Sequence, residues 1–364
     1  MVGVALVMVL NLVNLTGDVV YKCPRCGFTT EANTWMFRCP RCGSPLNVEY
    51  ELRKPRELSR RELAKVLPVK ELVSLGEGAT PMVNRRGYYF KLEYLNPTGS
   101  FKDRGWALAL SVLGNDVTVV EDSSGNAGLS LAAYSMVKGV RARIYVPRGA
   151  SEAKKRFMRL LGANVVETPS RADASALAMS YQDGVYVGHS WNPFFIHGVK
   201  LIAYEIALEL GKVDNVVAPL GNGTLLLGLH TGFRELVEMR VIKEVPRLTA
   251  VEASGYEWAH RALHNTPPGP QSTLPEGIMV PQPPRLEQIV DAVRDSGGEV
   301  VVAGDFDVVD GLREGLRLGF IIEPTSAVVF KALRELKPSG STVVILTGSG
   351  LKTTNEIHSL LAGS

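Results

Sequence analysis

The stretch "NPTGSFKDRG", Asn96 to Gly105, ends a polar, turn-forming run with a single lysine between an aromatic residue and an acid–base pair. Lys102 lies between that turn and an apolar helix expected over Trp106–Leu113, with Ser100 as its N-cap. One reading is a solvated lysine beside a capped helix. The other is an amine placed to react with a carbonyl. Three later turns bear on the choice. "DSSGNAG" (Asp122–Gly128) follows an apolar strand and precedes a helix. Its short side chains and the free N–H groups of the helix start suit a carboxylate. "PLGNGT" (Pro219–Thr224) is again a strand-to-helix turn, and Gly221 and Gly223 let backbone amides approach an anion. It is neither the dinucleotide G-x-G-x-x-G nor a P-loop, so a lone phosphate is the natural guest. "TGSG" (Thr347–Gly350) follows the strand "TVVIL" and places the Thr347 hydroxyl at a strand end. Each turn alone is an ordinary connection. Together with a lysine they supply a Schiff-base amine, a phosphate cradle, a carboxylate loop and a strand-end hydroxyl, the parts that pyridoxal phosphate carrying an amino acid requires.

A second constellation is Cys23-x2-Cys26-x12-Cys39-x2-Cys42, two copies of Cys-Pro-Arg-Cys-Gly. Four thiolates at this spacing make a closed, tetrahedral structural zinc site. Two disulfides, or iron in a rubredoxin-like site, are the competing readings. Gly27 and Gly43 permit the knuckle turns. The segment is small enough that metal binding would supply much of its folding free energy.

The elements that must position these groups alternate in type. "VTVVED", "RARIYVP", "NVVET", "NVVAPL" and "STVVIL" read as strands, and the first four are each followed by a helical run. That order indicates α/β architecture with parallel sheets and ligands at the carboxyl ends of strands. "ELRKPRELSRRELAKVLPVKELVSL" reads as a linker with a short helix, and the proline-rich His264–Pro284 as a loop or flap. The apolar start "MVGVALVMVLNLVNL" lacks the basic n-region of a signal peptide and reads as a strand, a buried tail or an upstream mis-start.

The chain has 364 residues, 45% hydrophobic and 21% charged, with a formal net charge of +3. That length allows two or more domains, and the balanced charge gives no argument for nucleic acid or an acidic membrane as partner. No apolar run reaches the roughly 18 residues of a membrane span. All four cysteines lie in the cluster, which fits a reducing, cytoplasmic compartment.

Residues Gly76 to Lys352 resemble the fold-type II pyridoxal-phosphate enzymes, and among them the threonine synthases. "EGATP", "KLEYLNPTGSFKDRG", "SSGNAG", "PLGNGT", "EPTSA" and "TGSGLK" occur in that family's order, and a four-cysteine ribbon precedes the catalytic domain in some of its members. The resemblance implies two parallel-sheet α/β domains behind a small zinc ribbon. The expected layout is an apolar segment (1–20), the ribbon (21–50), a linker (51–75), a large cofactor-binding domain (76–111 and 200–364) and a small α/β domain (112–199). It implies Lys102 as the Schiff-base lysine and proton shuttle, and Asn126 on the ring oxygen of pyridoxal 5'-phosphate. Gly221, Asn222, Gly223 and Thr224 would bind the cofactor phosphate, and Thr347 would meet the pyridine nitrogen. Ser123, Ser124 and Ala127 would hold the substrate carboxylate, with Ser190 also at the substrate. Cys23, Cys26, Cys39 and Cys42 would bind zinc.

The implied reaction converts O-phosphohomoserine and water to threonine and phosphate, and the implied assembly is a homodimer. Thr224 departs from the more usual glycine, though its hydroxyl can donate to phosphate. Phe195 stands where the family usually has an arginine on the substrate phosphate; His189 and His197 are the nearby candidates to replace it. The alternatives are a paralogue acting on another activated amino acid (a phosphoserine sulfhydrylase, a cysteate synthase or a Ser/Thr dehydratase) and a catalytically dead zinc-ribbon binding protein.

Overall fold

The computed structural model describes residues 11–57 and 59–362. The first ten residues of the apolar start lie outside them. Thirteen strands form among the described residues: β1 (Val19–Lys22), β2 (Thr29–Glu31), β3 (Asn47–Tyr50), β4 (Met82–Arg85), β5 (Tyr88–Lys91), β6 (Thr118–Glu121), β7 (Arg141–Pro147), β8 (Asn164–Thr168), β9 (Val185–Tyr186), β10 (Asn215–Pro219), β11 (Arg247–Ala253), β12 (Glu299–Ala303) and β13 (Thr342–Ile345). The chain divides into two compact units, residues 1–51, 68–75 and 106–195, and residues 52–67, 76–105 and 196–364.

The first unit holds two sheets. Strands β2-β1-β3 pair antiparallel and carry the cysteine knuckles. Strands β8-β7-β6-β9 are parallel throughout, with Tyr186 ↔ Val120 and Glu121 ↔ Ile144 in register. Parallel sheets are covered on both faces, so their strands read as apolar runs; Val119 and Val120 are fully buried accordingly. Leu12 and Leu15, the described end of the apolar start, make isolated bridges to Leu113 and Val69.

The second unit is built on a six-stranded sheet of order β12-β11-β10-β13-β5-β4, parallel except for β4. Its core gathers Phe90, Val217, Val251, Val301, Phe320, Phe330 and Val344, with Phe90 and Phe320 ring centroids 4.8 Å apart. Three loops at the carboxyl ends of its strands hold candidate site residues: after β5 the stretch that leads to Lys102, after β10 the Gly221–Thr224 turn, and after β13 the Thr347–Gly350 turn; the proline-rich loop follows the helix Trp258–His264. The proline-rich loop contains one short 3-10 turn, Glu276–Ile278. The linker forms the expected short helix, Arg60–Ala64, capped by Ser59, whose hydroxyl accepts from the Glu62 N–H.

Candidate active-site residues

Lys102 stands in the first turn of the helix Lys102–Ser111, four residues earlier than the apolar pattern indicates. The reason is a side-chain clamp. The Asp103 carboxylate accepts from the Thr98 N–H (2.7 Å) and from its hydroxyl (2.5 Å), folding the turn back on the helix start. Ser100 is not the cap: its hydroxyl is fully buried without a hydrogen-bond partner. Half-buried Lys102 carries its Nζ 4.6 Å from the Phe101 ring centroid.

The turn is tied to the Thr347–Gly350 turn from several sides. Phe101 N–H donates to the Thr347 carbonyl (3.1 Å), and Ser349 N–H to the Gly99 carbonyl (2.9 Å). Lys352 Nζ donates to the carbonyls of Thr98 (3.1 Å) and Gly99 (2.8 Å). Thr347 and Ser326 share a hydroxyl hydrogen bond (2.9 Å), and Ser326 also accepts from the Gly348 N–H. Ser326 belongs to "EPTSA", and the residue itself was not singled out from sequence.

Two residues on from Lys102, Arg104 joins a buried ionic cluster of two cations and two carboxylates. The Arg104 guanidinium, 1% exposed, donates through Nε and Nη2 to Glu93 (2.6 and 2.7 Å) and through Nη1 and Nη2 to Glu205 (2.7 and 2.8 Å). Lys91 Nζ meets Glu205 at 2.6 Å. Burial alone would lower the Arg104 pKa, but Glu205 and Glu93 raise it above its ordinary value. Burial likewise would raise Glu205, but Arg104 and then Lys91 hold it down to about 2. Bidentate, fully paired geometry is what lets such charges stay ionised out of water. Sequence reading passed over this cluster. The available signal was an arginine and two glutamates inside otherwise apolar runs, "KLEYL", "DRGWALAL" and "AYEIAL".

The Gly221–Thr224 turn opens the helix Thr224–Glu238, which has no side-chain cap. Gly223 has φ +89°, and a Cβ there would sit 2.4 Å from Ile289 Cδ1; a Cβ on Gly221 would sit 2.8 Å from Ile278 Cα. Asn222 Oδ1 accepts from both the N–H and the hydroxyl of Thr224 (3.1 and 3.0 Å). The Thr224 hydroxyl therefore organises the turn in this structure. A helix start leaves up to four N–H groups to be satisfied. Asn222 takes the first of these, and the rest of the helix start, preceded by two side-chain-free positions, fits a phosphate-bearing cofactor.

In the first unit, Ser123, Ser124, Asn126 and Ala127 lie between β6 and the helix Asn126–Lys138, which also lacks a side-chain cap. Gly128 packs against the Ser123 carbonyl, 2.1 Å from where a Cβ would be. Ser190 follows β9, which pairs with β6. Next to Ser190, His189 is held twice by buried Glu121, through its N–H (3.0 Å) and Nδ1 (2.8 Å). Tyr186 donates its hydroxyl to Asp122 (3.0 Å), whose pKa is raised by burial and by Glu121. Phe195 is fully buried, edge-on to Trp106 at 5.2 Å. His197 belongs to the second unit, 4.0 Å from Glu235.

The four cysteines are free thiols whose sulfur atoms all lie within 4.8 Å of one another, the closest pairs being Cys23–Cys42 (3.5 Å) and Cys26–Cys39 (3.6 Å). Tetrahedral Zn–S bonds of about 2.3 Å place sulfurs about 3.8 Å apart, so the donor set fits zinc. Gly27 and Gly43, at φ +70° and +74°, donate to the carbonyls of Cys23 and Cys39, the same turn twice.

Residues 73–348 match the family described as pyridoxal-phosphate dependent enzyme. The chain is similar to threonine synthases of Methanosarcina acetivorans (29% identical, covering 92% of this chain and 88% of that one) and Methanocaldococcus jannaschii (32%, 84% and 83%). Among solved structures it is similar to the O-acetylserine dependent cystathionine beta-synthase from Helicobacter pylori (TM-score 0.63, 28% identical, 76% of this chain and 95% of that one). In fold it is also similar to an L-serine ammonia-lyase from Rhizomucor miehei (TM-score 0.66, 21%, 78% and 98%).

Proposed function

Because the chain belongs to the pyridoxal-phosphate-dependent enzyme family, we propose that it is a lyase converting O-phospho-L-homoserine and water to L-threonine and phosphate. What carries this reading is the extent of the likeness to threonine synthases, 32% identity across 84% of this chain and 83% of the relative. When bound, pyridoxal phosphate supplies the electron sink that makes protons at the substrate's Cα and Cβ removable. Lys102 Nζ is the proposed base for both protons. Phosphate leaves from Cγ, and water adds at Cβ. The Thr347 hydroxyl, held by Ser326, is assigned to the pyridine nitrogen. A neutral hydroxyl does not hold that nitrogen protonated, which favours elimination and replacement over transamination. The amides of Gly221–Thr224 are assigned to the cofactor phosphate and Asn126 to its ring oxygen. Ser123, Ser124 and Ala127 are assigned to the substrate carboxylate, and Ser190 to the substrate. The ribbon cysteines are assigned to structural zinc. A cytoplasmic location rests on the four free thiols, and a homodimer on analogy with the family.

Phe195 favours a second reading. Its ring is fully buried against Trp106 and offers no donor for a leaving phosphate, which a paralogue acting on an amino acid without a phosphate to expel, such as a Ser/Thr dehydratase, would tolerate. A substrate panel decides. Release of phosphate from O-phosphohomoserine with equimolar threonine supports the first reading. Ammonia and a 2-oxo acid formed from serine or threonine, with no threonine made from O-phosphohomoserine, replace it.

A further inference from the structure

The cysteine ribbon carries an aromatic cluster that the zinc site does not use. Between the knuckles, Trp35 and Phe37 project with Tyr21 of β1 onto the chain segment from Tyr186 to Phe194, all within the first unit. Trp35 Nε1 donates to the Tyr186 carbonyl (3.0 Å), and its ring stacks on Phe194 (centroids 6.5 Å). Tyr21 meets Phe194 edge-on (6.1 Å). Phe37 meets Tyr186 (5.1 Å) and Trp191 (6.0 Å), both edge-on. The ribbon thus grips the segment at both ends and near its middle.

The gripped segment is the one that carries His189 and Ser190. It is already folded on itself: Trp191 and Asn192 N–H groups both donate to the Gly188 carbonyl (2.9 Å). The Asn192 side chain accepts from the Phe194 and Phe195 N–H groups and donates to the Val187 carbonyl. Gly188 sits so tightly on Tyr186 that a Cβ would lie 2.0 Å from its hydroxyl oxygen. The same hydroxyl donates to Asp122, which immediately precedes the Ser123–Ala127 loop. Phe37 therefore bears on a tyrosine that ties together the two loops assigned above to substrate. A ribbon of about thirty residues buries too little to be rigid by itself, so its shape depends on the metal.

We infer that the metal-loaded ribbon is a brace for substrate binding, with Trp35 and Phe37 as positioning residues that act through Tyr186, Trp191 and Phe194 on the Gly188–Asn192 turn. The assignment of that turn to substrate rests on the function proposed above; the brace itself rests on the contacts. It follows that metal occupancy sets substrate affinity while leaving cofactor retention, for which Lys102 and the Gly221–Thr224 turn of the second unit are proposed as the main anchors, unchanged.

The test uses the cofactor-loaded enzyme before and after a chelator strips the metal, and metal-loaded Trp35→Ala, Trp35→Phe and Phe37→Leu variants. Three quantities are read: amide exchange at Trp191 and Asn192, KM and kcat for phosphate release, and visible cofactor absorbance. The expected result is faster exchange at both amides and a KM raised about tenfold, as about 1.4 kcal/mol of lost positioning gives. Cofactor absorbance is retained, and added zinc reverses the effect of the chelator. Trp35→Phe, which keeps a ring and loses the Nε1 hydrogen bond, falls between wild type and Trp35→Ala. If stripping the metal unfolds the chain, the metal-loaded variants carry the test. Unchanged exchange at Trp191 and Asn192 in Trp35→Ala and Phe37→Leu overturns the brace. So does loss of cofactor absorbance with substrate KM unchanged. Faster exchange in protein that turns over none of the phosphorylated amino acids sustains the brace and removes the proposed activity.

Discussion

Replacing Arg104 by methionine removes one cation from the buried cluster and leaves Glu93 and Glu205 facing only Lys91. Four charge-assisted contacts of 2.6 to 2.8 Å disappear at once, and a neutral group of four charges becomes a net anion at positions no more than 2% exposed. Breaking a buried pair by deleting one partner costs about 3–5 kcal/mol, most of it from the stranded charge. Lys91, 2.6 Å from Glu205, moderates the loss on that side, so the expectation is about 3 kcal/mol. Urea unfolding at neutral pH measures it. Adding Glu93→Gln to Arg104→Met restores neutrality, and the double variant should recover at least about 1 kcal/mol relative to the single one, a coupling that only contacting residues show.

The cluster also predicts a pH signature. Glu205 is held down to about 2 from an ordinary 4.5, so its stabilisation is present above pH 4.5 and lost as pH falls through 2. Arg104→Met should move this acid limb to higher pH. Because Arg104 is two residues from Lys102, the variant should also bind pyridoxal phosphate more weakly. A loss of stability below about 1 kcal/mol, or a double variant that is worse than the sum of its parts, refutes the reasoning.

Lys102→Ala should fold, as judged by far-UV circular dichroism, yet lose the yellow colour and the borohydride-reducible adduct; a coloured variant refutes the lysine assignment. Gly223→Ala forces a side chain into φ +89° with its Cβ 2.4 Å from Ile289 Cδ1, and should cost roughly 1–3 kcal/mol with weaker cofactor binding in a titration. Burial pushes Glu252 up to about 7 from 4.5, despite N–H donors from Ala259 and His260. The folded state therefore holds a proton that the unfolded chain releases, and stability should fall as pH rises from 4.5 to 7, by roughly 3 kcal/mol at most. Glu252→Gln should flatten that slope in unfolding curves taken across this range. Metal analysis should find one zinc per chain, lost in Cys39→Ser.

What could be read from the sequence was whatever neighbouring residues settle among themselves. The cysteine spacing, with a glycine after each pair, specifies two knuckle turns because each closes within five residues. The strand-turn-helix order follows from apolar runs punctuated by glycine, and the Gly221–Thr224 turn from its position between them. Lys102 was singled out by motif order and company, not by its surroundings. The helix start it occupies depends on Thr98 and Asp103, a clamp across five residues that the apolar pattern beginning at Trp106 hides. Everything carried by distant partners needed the tertiary structure. Arg104 finds Glu93 eleven residues away and Glu205 a hundred and one away, and nothing local to an arginine names the carboxylate that will neutralise it. Phe195 could be seen to lack a cationic head, but only packing shows the ring buried against Trp106. The ribbon's rings are unremarkable in a linear reading; that Trp35 reaches the Tyr186 carbonyl, 151 residues on, is decided by two segments burying apolar surface against each other, and burial is a property of the folded chain.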